Sequence, residues 1–206
     1  MKYSSLKVVV LGDALLDIYR YCEVSRLAPE APVPVLDIIE EEKKLGGSLN
    51  VAGVCLSLGA VVYPLIISDE GFLLEPAVQS MLGMSNCNET LVFIGDSQIS
   101  YKYRYVNLSK LVSRADCDSH VSTPRSIEKS ILNKIRHLAP HLVIISDYVK
   151  GTMTPSLVES VIGYCNEAQI VVALDPKPRL DSRIYTGVTV MTPNLPEAMN
   201  LCGVSD

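Results

Sequence analysis

Short apolar runs recur along the chain, each ending in polar or turn-forming residues. Lys7–Leu11 is β-branched, has no helical period, and reads as a fully buried strand. Val61–Ile67, Leu142–Ser146, Ile170–Leu174 and Val188–Met191 are further strands. A helix opened by Gly46 and Gly47 is predicted through SLNVAGVCLSLGA to Gly59. Others are predicted over about 71–82, Ser126–Leu138, Pro155–Ala168 and Leu195–Cys202. Leu91–Ile94 and Ser100–Val106 read as strands around a GDSQ turn. Pro29, Pro32 and Pro34 exclude a central strand or helix from 29 to 34, and Val35–Glu41 reads as a strand polar on one side. Strands alternating with helices imply βαβ units, right-handed crossovers and a parallel sheet, hence an α/β fold.

In an open α/β sheet, ligands sit beyond the carboxyl ends of the strands. Asp13 follows the first strand, Asp147 follows LVIIS, Asp175 follows IVVAL and Asn194 follows VTVMTP. Each could cap a helix or turn by itself. Their convergence on one edge favours a site.

Composition narrows the classes. The chain has 206 residues, 48% of them apolar, enough for one substantial domain or a domain with a small appendage. A net charge of −5 argues against broad nucleic-acid or anionic-membrane binding but permits a local basic pocket. No apolar run is long enough for a transmembrane helix, and MKYSSLKVVVLGD lacks a signal-peptide pattern. The six cysteines are widely spaced without a C-x-x-C pair, as expected for reduced thiols in a cytoplasmic protein. His137 and His141 have helical metal spacing, but Pro140 ends the helix between them, so no metal site is expected.

In order, the chain carries VVVLGDALLDIY, SRLAPEAPVPV, GGSLNVA, ISDYVKG, LDPK and TPNLPEA. Together these resemble the ribokinase (PfkB-type) carbohydrate kinases, most closely the kinase domain of heptose-7-phosphate kinase/ADP-heptose synthase enzymes. The SR-x-x-PEAPVPV stretch is the most specific part. The resemblance implies the N-terminal two-thirds of a ribokinase-like sugar kinase domain. It also implies a small β lid from segments near 14–45 and 91–118, ATP and Mg2+ as cofactors, and a phosphorylated sugar as acceptor. By motif, Asp13 and Asn50 would hold sugar hydroxyls in one cleft, with Gly46 and Gly47 letting the backbone approach. Asp17 either faces the site or caps a turn. Tyr101, Tyr103 and Tyr105 alternate with Lys102 and Arg104, so a strand puts rings on one face and cations on the other. The resemblance assigns Lys102, Arg104 or Arg114 to a sugar phosphate; the plain reading is a solvated strand face. Lys150 and Lys177 would meet phosphate or pair with a neighbouring acid. Asn194 and Glu197 match an element near magnesium and triphosphate, and equally form a capping-box pattern.

The chain departs from that family in one large respect. No Gly-rich D-T-x-G-A-G-D segment, the source of the catalytic base and anion hole, occurs before Asp206. The other Gly-Asp pair, Gly95-Asp96, falls in the expected GDSQ turn. Leu49 replaces a small residue before the Asn, and SDEG at Ser68–Gly71 shortens a loop that shapes the sugar site. The expectation is a kinase domain truncated at its C-terminus. It would be incomplete alone and oligomeric through the lid or the uncovered sheet, or completed by a second chain. The alternative is a non-catalytic sugar-binding or regulatory protein.

Overall fold

The computed structural model describes residues 3–88, 91–94, 98–179 and 181–204. Six parallel strands form the main sheet: β1 (Lys7–Gly12), β4 (Val61–Ser68), β5 (Leu91–Ile94), β8 (Leu142–Ser146), β9 (Val171–Asp175) and β10 (Val190–Met191). Their order is β10-β9-β8-β1-β4-β5. The expected α/β parallel sheet is therefore present. β1 is central and buried on both faces, as its unbroken apolar run requires. Val8 and Val10 face one core cluster, with Leu49, Ala52 and Leu56 of α1 (Ser48–Ser57). Val9 and Leu11 face the other, with Ile131 and Ile135 of α4 (Arg125–Leu138) and Leu157, Val161 and Cys165 of α5 (Pro155–Glu167). α6 (Leu195–Cys202) follows β10.

A second sheet stands off the first, in the order β3-β2-β6-β7. It contains β2 (Ala14–Leu27), β3 (Pro34–Gly47), β6 (Ser100–Asn107) and β7 (Lys110–Cys117). It is mixed: β2 runs antiparallel to β3 and parallel to β6, and β6 runs antiparallel to β7. This is the β lid of a ribokinase-like architecture.

Several elements differ from the sequence reading. The stretch after Asp13, expected as part of the β lid, is one 14-residue strand, β2. The prolines fall in the turn before β3 and at its first residue, Pro34, and β3 is an edge strand where a missing amide is harmless. β3 runs on to Gly47, so the Gly pair ends a strand and the helix starts at Ser48. The helix expected over 71–82 is two, α2 (Glu70–Leu73) and α3 (Pro76–Leu82). Pro76 holds Glu75 extended and restarts the helix. Leu91–Ile94, expected in the lid, pairs with β4 in the main sheet, Leu65 opposite Leu91. Gly95 and Asp96 of the expected turn lie outside the described residues.

Candidate functional site

β1 lies between β8 and β4, so the connections leaving its neighbourhood diverge there. Ligand crevices of open α/β sheets form at such a point. The lid springs from the same point, because Ala14 and Leu15 pair with Gly47 and Gly46.

Asp13, the first expected hydroxyl ligand, is turned inward. It is 1% exposed. Its Oδ2 accepts the amides of Tyr148 at 2.8 Å and Lys150 at 3.1 Å, and Oδ1 accepts that of Thr152 at 3.0 Å. Burial, aided by the neighbouring Asp147 charge, holds its carboxyl above the ordinary range despite those amides. With three amides on its two oxygens, Asp13 pins the loop after β8.

Asp17 is the carboxylate that meets the lid cations. Its Oδ1 accepts Arg104 Nε at 3.2 Å and Nη2 at 2.9 Å. Its Oδ2 has no hydrogen bond among the described residues and lies over Gly46, where a Cβ would come within 2.6 Å. Gly46 thus leaves room for that oxygen. Gly47 has φ +57°, and a Cβ there would reach 2.3 Å from the Asp13 carbonyl oxygen. Only glycine suits both the left-handed backbone and the close crossing. Asn50 is exposed in the first turn of α1 with no side-chain hydrogen bond among the described residues. Leu49, which stands in place of a small residue, is fully buried in the core and does not crowd the crevice. In SDEG, Asp69 caps α2 by accepting the Phe72 amide at 3.0 Å.

The two faces of β6 separate as the alternation requires. Tyr101 and Tyr103 pack on the core with Leu16 and Ile18. On the opposite face Lys102 is in register with Asp17, and Arg104 with Arg114 of β7. Most cations here are matched: Arg104 with Asp17, Arg114 with Asp116 at 2.6 Å, Lys150 with Asp118 at 2.6 Å. Lys102 has no ion pair among the described residues. Burial and then the Arg114 charge hold its ammonium pKa below the usual lysine range. Lys102 Nζ lies over the Tyr148 ring, 5.7 Å from its centre, and Lys177 Nζ lies 5.0 Å from the same centre.

On the nucleotide side, Asn194 and Glu197 form a capping box. Asn194 Oδ1 accepts the Glu197 amide at 2.9 Å, and Glu197 Oε2 accepts the Asn194 amide at 2.8 Å. Glu197 Oε1 takes Lys177 Nζ at 2.5 Å. Burial opposes the Glu197 charge, but Lys177 and the Asn194 amide outweigh it and lower its pKa. Both Glu197 oxygens thus serve the helix start and Lys177, and the side chain is 4% exposed. Among the described residues no cluster of acidic, His or Cys side chains could hold a metal ion.

Three residues of the neighbourhood escaped the sequence reading. Arg179 forks onto Asp147, Nε to Oδ2 and Nη2 to Oδ1, both at 2.7 Å, while the Tyr185 hydroxyl donates to Oδ2 at 2.7 Å. The carboxylate of Asp147 is therefore committed to a buried network. Nothing in DPKPR announces that partnership. Tyr148 was visible in SDY, but only its neighbours attracted attention.

No family model matches the chain. It is 37% identical over 205 residues to the bifunctional protein HldE of Granulibacter bethesdensis, covering 96% of this chain and 41% of that one. The chain thus spans about two-fifths of the length of the curated relatives it matches. Among solved structures, the tetrameric inhibited form of phosphofructokinase-2 from Escherichia coli superposes with a TM-score of 0.73 at 12% identity. That match covers 97% of this chain and 64% of the other. The ribokinase of Arabidopsis thaliana complexed with ribose and ATP gives 0.63 at 16% identity, covering 96% and 62%.

Proposed function

Since the chain is a ribokinase-like, PfkB-type relative of the bifunctional HldE proteins, we propose that its crevice binds a phosphorylated sugar as acceptor for the ATP γ-phosphoryl group. The sugar that fits the HldE relationship is a heptose 7-phosphate, phosphorylated at O1. The observation that carries this reading is Lys102, a partly buried cation without a carboxylate partner among the described residues, beside Arg104 and Arg114 on one face of the lid. An unneutralised ammonium next to two guanidiniums suits a phosphate, and guanidinium forks bind two phosphate oxygens together.

Each residue then has a task. Asp17 accepts sugar hydroxyls on Oδ2 while Arg104 holds Oδ1. Gly46 keeps that oxygen accessible. Asn50 donates and accepts at the mouth of α1. Asp13 contributes indirectly, by fixing the loop that carries Tyr148. Lys177 faces the phosphate donor, with Asn194 and Glu197 building the helix start behind it. ATP is the phosphoryl donor, bound with Mg2+. The lid excludes water, which otherwise competes as acceptor.

Among the described residues no base with an anion hole accompanies this arrangement: Asp13 and Asp147 are both tied down, and no Gly-rich helix start accompanies Asp175. A positioned base contributes roughly 100- to 10,000-fold and an anion hole a comparable factor. Residues 1–206 therefore carry the acceptor side of the site and turn over only with a base supplied from outside them. The engaged Glu197 equally suits a non-catalytic sugar-binding protein, and the assay below separates the two. Exposed apolar residues on the lid, among them Leu27, Ile38, Ile39 and Leu111, suit a homo-oligomer formed lid to lid. No described helix is long and apolar enough to cross a membrane, and a cytoplasmic setting matches the proposed chemistry.

Calorimetry with heptose 7-phosphate and with unphosphorylated heptose tests the binding reading. A preference for the phosphorylated sugar, lost in Lys102→Met, is expected; equal affinity for both overturns it. Transfer of radiolabelled phosphate by residues 1–206 alone should be undetectable, and turnover abolished by a single Asp substitution would reveal a base within them.

A further inference from the structure

Tyr148 has been given no task of its own, yet its ring lies where the lid and the main sheet meet. Its backbone is bedded at three points: Asp13 Oδ2 accepts the Tyr148 and Lys150 amides, and Oδ1 accepts that of Thr152. The residue before it, Asp147, is locked by Arg179 and Tyr185. The ring is thus a fixed post at the end of β8. One ammonium over it, Lys102, comes from the lid strand β6, and the other, Lys177, from the segment after β9. The phenol hydroxyl has no hydrogen bond among the described residues. The charges that act on it come from both sides: Asp175 of β9, Lys177 after it and Glu197 of α6 on one, and Asp17 of the lid on the other.

Both ammoniums are drawn to the π-system of one ring, Lys177 while also ion-paired with Glu197. Neither lysine can move over the ring without altering the field at the other. An anion arriving at Lys102 draws that ammonium off the ring and so changes the field at Lys177.

We propose that Tyr148 is a positioning residue whose ring couples the lid lysine Lys102 to the donor-side lysine Lys177, so that capture of the sugar phosphate is registered where the phosphoryl donor binds. The inference rests on the proposed sugar-phosphate reading and adds to it a residue and a linkage between the two halves of the crevice. The ring acts, not the hydroxyl: Phe preserves the function, whereas Leu, apolar and without a π face, removes it.

The test uses protein with ¹³C-labelled lysine side chains, the Cε signals of Lys102 and Lys177 being followed as heptose 7-phosphate is added. In the wild-type chain both signals should move together with one midpoint. In Tyr148→Phe they should still do so, at close to wild-type affinity. In Tyr148→Leu the Lys102 signal should still move, at an affinity no weaker than wild type because no cation–π contact is left to break, while the Lys177 signal stays still. A Lys177 signal that ignores the ligand in the wild type, or that follows it equally in Tyr148→Leu, overturns the inference and leaves the binding reading standing. Equal losses in Phe and Leu would transfer the role to the hydroxyl and also overturn it. A wild-type chain that binds no heptose 7-phosphate by calorimetry defeats the functional reading itself, and the coupling with it. Well-dispersed lysine signals in each variant show that it is folded.

Discussion

Replacing Asp13 separates a structural carboxylate from a ligand-binding one. Its two oxygens accept amides from Tyr148, Lys150 and Thr152, and the side chain is 1% exposed. In Asp13→Ala all three donors lose their acceptor. A buried donor left unpaired costs about 1–3 kcal/mol. The Thr152 contact is fully buried, whereas those of Tyr148 and Lys150 are only partly so and can recruit water. The expected destabilisation is therefore about 2–4 kcal/mol, below the sum of three full penalties. Against a typical stability of about 5–15 kcal/mol, that is large but survivable. Asp13→Asn keeps one acceptor oxygen, which can serve Tyr148 and Lys150, and turns its NH2 toward the Thr152 amide. It should cost about 1–2 kcal/mol, the loss of one contact. Urea denaturation gives both values, and hydrogen exchange should quicken at the amides of 148, 150 and 152. An unmoved urea midpoint in Asp13→Ala, together with a lost sugar affinity, would refute the reasoning and place Asp13 in the crevice.

Gly46→Ala puts a Cβ 2.6 Å from Asp17 Oδ2, and the carboxylate can swing aside. Sugar affinity should fall about ten-fold while the melting temperature changes little; retained affinity on calorimetry would count against Asp17. Arg179→Ala strands the buried charge of Asp147 and should cost about 3–5 kcal/mol in denaturant titration, with Tyr185→Phe costing about 1 kcal/mol. Because the Lys102 pKa is lowered from 10.5, its charge disappears at a lower pH than an ordinary lysine's. Affinity for heptose 7-phosphate should then be full below that lowered pKa and decline as pH rises through it, before 10.5 is reached. Stability moves oppositely: relief of the disfavoured charge makes Lys102 less costly to the fold as pH rises between its folded value and 10.5. A pH profile of affinity identical in wild type and Lys102→Met would refute the assignment.

Much of the architecture was written locally. β1 and β8 are β-branched runs that can only be buried strands, and the strand–helix alternation after Arg125 specifies parallel crossovers without help from distant residues. The separation of tyrosines from cations along β6 follows from strand period alone. Glu197 three residues after Asn194 spelled its capping box.

What the sequence could not say is which of two carboxylates four residues apart is buried and which pairs with the lid cations. Asp13 and Asp17 flank the same strand start, and nothing near them distinguishes buried from open. The choice is made by a loop some 135 positions away, whose amides claim Asp13, and by Arg104, 87 positions away, which orients Asp17. The same holds for Leu91–Ile94, whose membership in the main sheet depends on pairing with β4. It holds too for Asp147, committed by Arg179 across 32 positions. Periodicity reports the face that a residue presents within its own element. Burial of a polar group depends on which donors the completed fold brings to it, and only the assembled sheet and lid decide that.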